Sequence, residues 1–210
     1  MRFLDWYFDF ISPFAYLQQE SFSRLPTDVA VRPRPVLLAG LLGHWGQKGP
    51  AEIPGKRRFT YRHVYWLAGH HGIPLRMPPA HPFNPLKPLR LAVALGATPE
   101  VVREIFRFIW RDGLDASSDE GLRALAARLG VADAAALIEG DEVKASLRAN
   151  TDEAIARGVF GVPTFVVSGE LFWGFDATGM LLDYLADPGL FDAPEWRRIS
   201  ELPAGVQRRL

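Results

Sequence analysis

Apolar and aromatic residues crowd the first ten positions, MRFLDWYFDF, with Asp9 near the end of the run. That density predicts a buried strand over residues 2–10, closed by the Ser12-Pro13 step. Behind it Phe14, Leu17, Phe22 and Leu25 recur at roughly helical spacing. Ser12 can cap that helix, Pro13 takes the first helical position, where its missing N–H costs nothing, and Pro26 ends it. DVAVRPRPVLL alternates in strand fashion but carries two prolines, which predicts an edge strand or an early end.

A long helical stretch follows. AGLLGHWGQKGPAEIPGKRR is part helix and part loop, RRFTYRHVYWLAGHHG predicts a helix closed by Gly72, and LKPLRLAVALGA predicts another. TPEVVREIFRFIWRDG predicts a helix with Thr98 as its cap, Pro99 in its first turn and Gly113 at its end. SSDEGLRALAARLG opens with a capping-box pattern from Ser117 to Glu120, and a further helix is expected from Asp141 to Arg157. The strand pattern returns only at VPTFVVSGELFW, where Ser168-Gly169 fits a tight hairpin turn; DATGMLLDYLAD closes as a helix. The order is βαβ, a helical block, then ββα. The simplest architecture joins the two sheet parts in one domain and inserts the helices between them. The tail after Pro188 is expected to be a surface extension with a short helix at most.

Composition narrows the chemistry. With 210 residues the chain can bury one sizeable core, and 24 basic against 24 acidic residues give zero formal charge. That balance lacks the basic field that nucleic acid or an anionic membrane would favour, so neither is an expected partner. No run has the length of a membrane span or a secretory h-region, and a cytoplasmic protein is expected. The chain has no cysteine, so disulfides, thiolate metal sites, Cys nucleophiles and dithiol redox chemistry by its own sulfur are excluded. The adjacent pair His70-His71 is wrongly spaced for two ligands on one helix face, and no metal is expected; a helix-terminal role near Gly72 fits better. Trp45, Trp66 and Trp110 are expected in the core or an interface.

Two local features carry candidate function. Ser12 needs no explanation beyond capping, but a helix N-terminus also holds anions, and a hydroxyl there can donate to a thiolate. Val162-Pro163-Thr164 opens a strand with a residue that cannot donate to a ladder. A trans edge proline is one solution; a cis bond, which turns the backbone so that Val162 can pair with a ligand's peptide group, is another.

Together these features resemble the thioredoxin-like superfamily in its disulfide-oxidoreductase form, with S-P-F-A at residues 12–15 where redox members carry C-x-x-C. The ordered segments YFDFISPFAYL, RPVLLAGL, IPGKRRF, HGIPL, HPFNPLKPLRL and VFGVPTFVVSGELFWGFD resemble kappa-class glutathione transferases and, more closely, the 2-hydroxychromene-2-carboxylate isomerase family. The implied fold class is α/β: a discontinuous thioredoxin-like domain of residues 1–38 and 158–210, with an all-helical domain of residues 39–157 inserted.

The resemblance implies glutathione as cofactor, a small aromatic carboxylate as substrate, and a homodimer. Ser12 would be the catalytic residue, donating a hydrogen bond to the glutathione sulfur. Val162, with Pro163 cis, would pair with the cysteinyl part, while Trp173, Gly174, Phe175 and Asp176 match the W-G-x-D segment that takes the γ-glutamyl end. Gln47 stands where relatives commonly carry Asn, and Lys56 aligns with a lysine that approaches the glycyl carboxylate. Arg57, or Arg58 beside it, would serve the substrate's carboxylate, and Asn84 would line the substrate pocket. Bland readings stand beside these: Asp176 as a helix N-cap, Lys56 as a solvated charge, Asn84-Pro85 as a turn opener. Phe175 and Ala177 depart from the Asn and Arg that flank this Asp in family members. The implied activity is glutathione-dependent isomerisation of 2-hydroxychromene-2-carboxylate or a related intermediate of aromatic breakdown. A kappa-like transferase and a non-catalytic binding module are the alternatives.

Overall fold

A computed structural model describes residues 1–206; the end of the tail, residues 207–210, lies outside the described residues. Among the described residues four strands form one mixed sheet in the order β2-β1-β3-β4. They are β1 (Arg2–Phe8), β2 (Val29–Pro35), β3 (Thr164–Val167) and β4 (Glu170–Trp173). β2 runs parallel to β1, and β3 pairs antiparallel with β1, Tyr7 opposite Thr164. β3 and β4 form the expected hairpin. Its turn residues Ser168 and Gly169 both have positive φ, 52° and 91°, the geometry that matches strand twist in a two-residue loop.

β2 is an edge strand, as its prolines predict. The bonds from Val36 N–H to the Phe8 carbonyl and from Arg2 N–H to the Asp28 carbonyl turn the even-numbered residues of β2 toward β1. Pro33 and Pro35 therefore face outward, and β2 loses no ladder bond to them.

Alternation along β1 divides the core. Leu4, Trp6 and Phe8 enter a large aromatic cluster with Phe10, Tyr16, Phe106, Phe165 and Phe172. Tyr7, on the opposite face, joins a smaller cluster with Val36, Leu41, Ala154, Val159 and Val166. Helix α1 (Pro13–Glu20) covers the first face. It stops earlier than its apolar spacing predicts, because the Ser21 hydroxyl donates to the Leu17 carbonyl and Phe22–Arg24 tighten into a 3-10 turn.

The helical block holds α2 (Leu38–His44), α3 (Pro54–His70), α4 (Leu86–Ala94), α5 (Pro99–Phe106), α6 (Asp119–Arg128), α7 (Ala134–Glu139) and α8 (Asp141–Ala156). α5 runs on into a π turn, Arg107–Arg111, which carries Phe108, Ile109 and Trp110 into the same large cluster as the sheet. The α6 cap is Ser118, bonded to Gly121 N–H, and not Ser117. Asp115 takes both the Ser117 hydroxyl and its N–H, which leaves the next serine to cap. The described residues close with α9 (Thr178–Ala186) and a short α10 (Pro194–Ser200) on the tail. Among the described residues no helix is long and apolar enough to cross a membrane.

Candidate active site

The sheet's geometry brings the two candidate motifs together. β1 lies between β2 and β3, so the loop leaving β1 toward α1 and the segment entering β3 emerge at the same end of the sheet. Ser12 is the N-cap of α1 and 7% exposed. Its Oγ accepts the Ala15 N–H at 3.3 Å, which uses a lone pair and leaves the hydroxyl proton without an acceptor among the described residues. Phe14 N–H is likewise unpaired there. Capping and donation are therefore compatible in one side chain.

The loop that presents Ser12 is locked from several sides. Asp9 Oδ1 accepts the Ile11 N–H at 3.0 Å and Oδ2 accepts the Leu38 N–H at 2.8 Å, tying the loop to the start of α2. Asp9 is fully buried with no ion-pair partner among the described residues, and burial pushes its carboxyl up to about 7 against the pull of those two amides. Trp110 Nε1 donates to the Phe10 carbonyl at 2.8 Å, so the π turn of the helical block grips the same loop.

At the same end of the sheet as Ser12, the Val162-Pro163 bond is cis. Neither the N–H nor the carbonyl of Val162 has a hydrogen-bond partner among the described residues, leaving one free donor and one free acceptor half-buried beside a sheet. The Pro163 carbonyl is taken by Gly174 N–H at 2.8 Å, which fastens the Trp173–Asp176 turn to this segment. Gly174 has φ +96°, and a Cβ there would meet Asp176 Oδ1 at 2.5 Å. The Trp173 indole lies over Gly161, where a Cβ would sit 2.7 Å from Nε1, and it packs edge-on against Phe160.

Within that turn the four residues divide. Trp173 and Asp176 are exposed, whereas Phe175 is buried and packs edge-on against His71 at 5.1 Å. Only the Phe175 backbone can face a ligand; its side chain belongs to the core. Asp176 is not the cap of α9, which starts after Ala177 without a side-chain cap. Its carboxylate is unpaired, and so are the N–H groups of Asp176 and Ala177, among the described residues.

Gln18 was missed by the sequence reading and connects the pieces. It is 1% exposed; Oε1 accepts Trp6 Nε1–H at 2.7 Å, and Nε2 donates to the Gly174 carbonyl and to Thr178 Oγ1. One buried amide thus sets α1 against the Trp173–Asp176 turn. A polar residue among the buried positions of α1 was its available signal.

The remaining candidates are peripheral and solvated. Lys56, Arg57 and Arg58 are exposed in the first turns of α3, with no acidic partner among the described residues. Arg57 is distinguished by its field, which acts on Tyr61 one turn along and on His81. Gln47 is exposed in the loop after α2, bonded only through its N–H to the Leu42 carbonyl. Asn84 Oδ1 accepts the Leu86 N–H at 3.0 Å, the turn-opening role of an Asn before Pro, with its amide protons unpaired among the described residues. Of the three tryptophans expected in the core or an interface, Trp110 is fully buried, while Trp45 and Trp66 are 42% and 60% exposed. Phe14 lies edge-on to His63 at 6.0 Å, placing the exposed face of α3 beside the N-terminus of α1.

Comparison with known proteins identifies the family and the fold. The family model described as a DSBA-like thioredoxin domain matches residues 3–186. A 2-hydroxychromene-2-carboxylate isomerase of Pseudomonas sp. (strain C18) is 32% identical over 187 residues, 85% of this chain and 87% of that one. A glutathione S-transferase kappa 2 of Caenorhabditis elegans is 27% identical over 209 residues, 89% of this chain and 93% of that one. A solved 2-hydroxychromene-2-carboxylate isomerase superposes with a TM-score of 0.77 at 23% identity, covering 96% of this chain and all of the other, a likeness of fold.

Proposed function

Because the chain belongs to the DsbA-like thioredoxin family, among the relatives of 2-hydroxychromene-2-carboxylate isomerase, we propose that it is a glutathione-dependent isomerase of that type. The substrate is 2-hydroxychromene-2-carboxylate or a related aromatic-breakdown intermediate. The observation that carries the reading is the pairing of an uncommitted Ser12 hydroxyl proton with an unpaired Val162 peptide at one end of the sheet. These are the groups a cysteinyl thiolate and its own peptide need.

Ser12 donates to the sulfur, and the N-terminal dipole of α1 favours its ionised form. Lacking a described base, the hydroxyl is a donor and not a nucleophile. Val162 supplies one donor and one acceptor to the cysteinyl peptide, with Pro163 holding the turn. The N–H groups of Asp176 and Ala177 take the γ-glutamyl carboxylate, and the unpaired Asp176 carboxylate takes its ammonium. Gly174 permits the turn, Trp173 walls it, and Phe175 contributes backbone only. Lys56 serves the glycyl carboxylate, and Gln47 is a further glutathione contact. Arg57 meets the substrate's carboxylate, being the basic residue whose field reaches toward the Ser12 loop, and the free amide protons of Asn84 face the pocket mouth. Bound glutathione supplies a thiolate that adds reversibly to the unsaturated substrate, allowing a bond to rotate with no net redox change.

The experiment is a direct competition of activities. Incubation with glutathione and the chromene acid gives the trans isomer, with glutathione regenerated and the thermal midpoint raised by glutathione alone. A conjugate formed from a chlorinated nitroaromatic without isomerisation would instead assign a kappa-like transferase. No thermal shift and no product would leave a non-catalytic binding module. Equilibrium sedimentation tests the homodimer, and fractionation of the source cells the cytoplasmic location.

A further inference from the structure

His81 has no part in the proposed glutathione contacts, yet it touches the loop that carries Ser12. Its Nε2 lies 2.8 Å from the Ile11 carbonyl, and its Nδ1 lies 2.8 Å from the Tyr61 hydroxyl. The Tyr61 hydroxyl also reaches the main-chain carbonyl of His81 at 2.6 Å. The ring packs edge-on against Trp110 at 5.4 Å and against Tyr61 at 5.3 Å.

The donors and acceptors can be counted. A carbonyl only accepts, so His81 Nε2 carries a proton and donates to Ile11. With a neutral ring, Nδ1 is an acceptor, and the single Tyr61 proton faces two acceptors at once. With a charged ring, Nδ1–H donates to the Tyr61 oxygen, Tyr61 donates to the His81 carbonyl, and every group is matched. The bond to Ile11 then becomes charge-assisted and stronger. The Ile11 carbonyl belongs to the Ile11–Ser12 peptide, whose N–H donates to the Asp9 carbonyl at 3.0 Å. Pulling harder on one end of that peptide polarises the other.

The charge balance around the ring opposes complete pairing. Burial lowers the His81 pKa, the positive field of Arg57 lowers it further, and the bond to Ile11 raises it. From α3 the titratable and charged groups facing the ring are Tyr61 and Arg57; from the π turn and its own loop come the uncharged rings of Trp110 and Phe83; from the Ser12 loop comes Asp9, raised to about 7, whose Oδ1 accepts the Ile11 N–H.

We infer that His81 is a positioning residue for Ser12: its ring links the Ile11 carbonyl to the Tyr61 hydroxyl, and gain or loss of one ring proton resets the peptide on which Ser12 stands. The catalytic consequence rests on Ser12 as thiolate donor; the coupling itself is a property of the free protein.

The test has two arms so that the two claims fail separately. In free protein, the Ser12 amide resonance is followed by two-dimensional NMR from about pH 5 to about pH 8, alongside the His81 ring protons, in wild type and in an Asp9→Asn background that removes the Asp9 titration from the same loop. The Ser12 amide moves with the His81 midpoint, Tyr61→Phe displaces that midpoint, and His81→Gln, which keeps a donor for Ile11, abolishes the transition. A Ser12 amide that ignores the His81 titration, or a ring that does not titrate, overturns the inference. In the second arm the ultraviolet absorbance of the thiolate of bound glutathione is titrated. His81→Met, with its fold checked by the amide spectrum, raises the apparent thiol pKa by about one unit, a tenfold loss of thiolate at fixed pH, while His81→Gln stays within about twofold of wild type. Equal thiolate in His81→Met and wild type overturns the catalytic consequence. Glutathione that does not bind wild type refutes the assignment of Ser12 as thiolate donor, and the first arm still decides His81.

Discussion

The sheet end of the site and the α3 wall beside it are built on opposite principles. Around Ser12, hydrogen bonds of Asp9, Gln18, Trp110 and Gly174 fix backbone, and unpaired groups of Ser12 and Val162 lie at the same end of the sheet. α3 has 17 residues but buries only Val64 and Ala68, and it leaves Lys56, Arg57, Arg58, Phe59, Tyr65 and Trp66 in solvent. The first arrangement suits a ligand whose shape never changes, because orientation is prepaid by the fold. The second suits substrates that vary, because long exposed side chains can adapt at little cost. If this division is right, changes on the sheet side should act on thiol ionisation and turnover, and changes on α3 on substrate selection.

The sharpest way to break that contrast is Ser12→Ala. Losing a donor aimed at developing or resident negative charge costs about 10²–10³-fold in turnover. The missing cap adds about 1 kcal/mol of instability, readable as a small fall in thermal midpoint. Turnover within twofold of wild type would remove the thiolate role. Gly174→Ala comes next. It forces a side chain onto φ +96° and against Asp176, and should weaken glutathione binding about tenfold by calorimetry while lowering stability by about 1–3 kcal/mol. Unchanged affinity would detach the Trp173–Asp176 turn from glutathione.

On the α3 side the expected effects are smaller. Arg57→Ala should raise the substrate KM about fivefold with glutathione affinity unchanged, and Lys56→Ala should do the reverse, each losing about 1 kcal/mol of a solvated charge contact. Arg58→Ala is the control, and identical KM changes for Arg57 and Arg58 would show that the wall is only a diffuse field.

The mildest effect is a slope. The Asp9 carboxyl is raised in the fold from 3.8 to about 7, so it favours folding fully below its unfolded value. That contribution is lost as pH rises through about 7 and is constant above it. Asp9→Asn should abolish this part of the pH dependence in thermal melts between about pH 4 and about pH 8. It should also be less stable overall, since an amide accepts only one of the two N–H bonds, at about 1–3 kcal/mol. A wild-type slope that survives in the variant would place its origin elsewhere.

The same division governs what the sequence reveals. β1, the edge character of β2, the Ser168-Gly169 hairpin and the helix of α9 are legible because each follows from alternation, proline placement or turn chemistry within a few residues. The Ser12 and Val162-Pro163 motifs are legible for that reason too. What is not legible are pairings across the chain: Trp110 on Phe10, His81 on Ile11, Gln18 on Gly174. No local period encodes which carbonyl a distant indole or imidazole will find. Phe175 shows the converse limit. It stands in a functional-looking segment, and only three-dimensional packing reveals that its ring fills space against His71. Between Ser117 and Ser118 the local signals tie, and Asp115 decides by capturing the first.

The outward prolines of β2 also govern what this molecule can join. At Pro33 and Pro35 the rim of the sheet offers carbonyls with no N–H beside them, so a foreign strand laid there meets acceptors where a ladder needs alternating donors. Sheet extension across that border, whether by a peptide, a swapped strand or a growing fibril, is blocked at its second step. Strand-to-strand pairing of this sheet with another chain is thereby left to the four-residue border at β4.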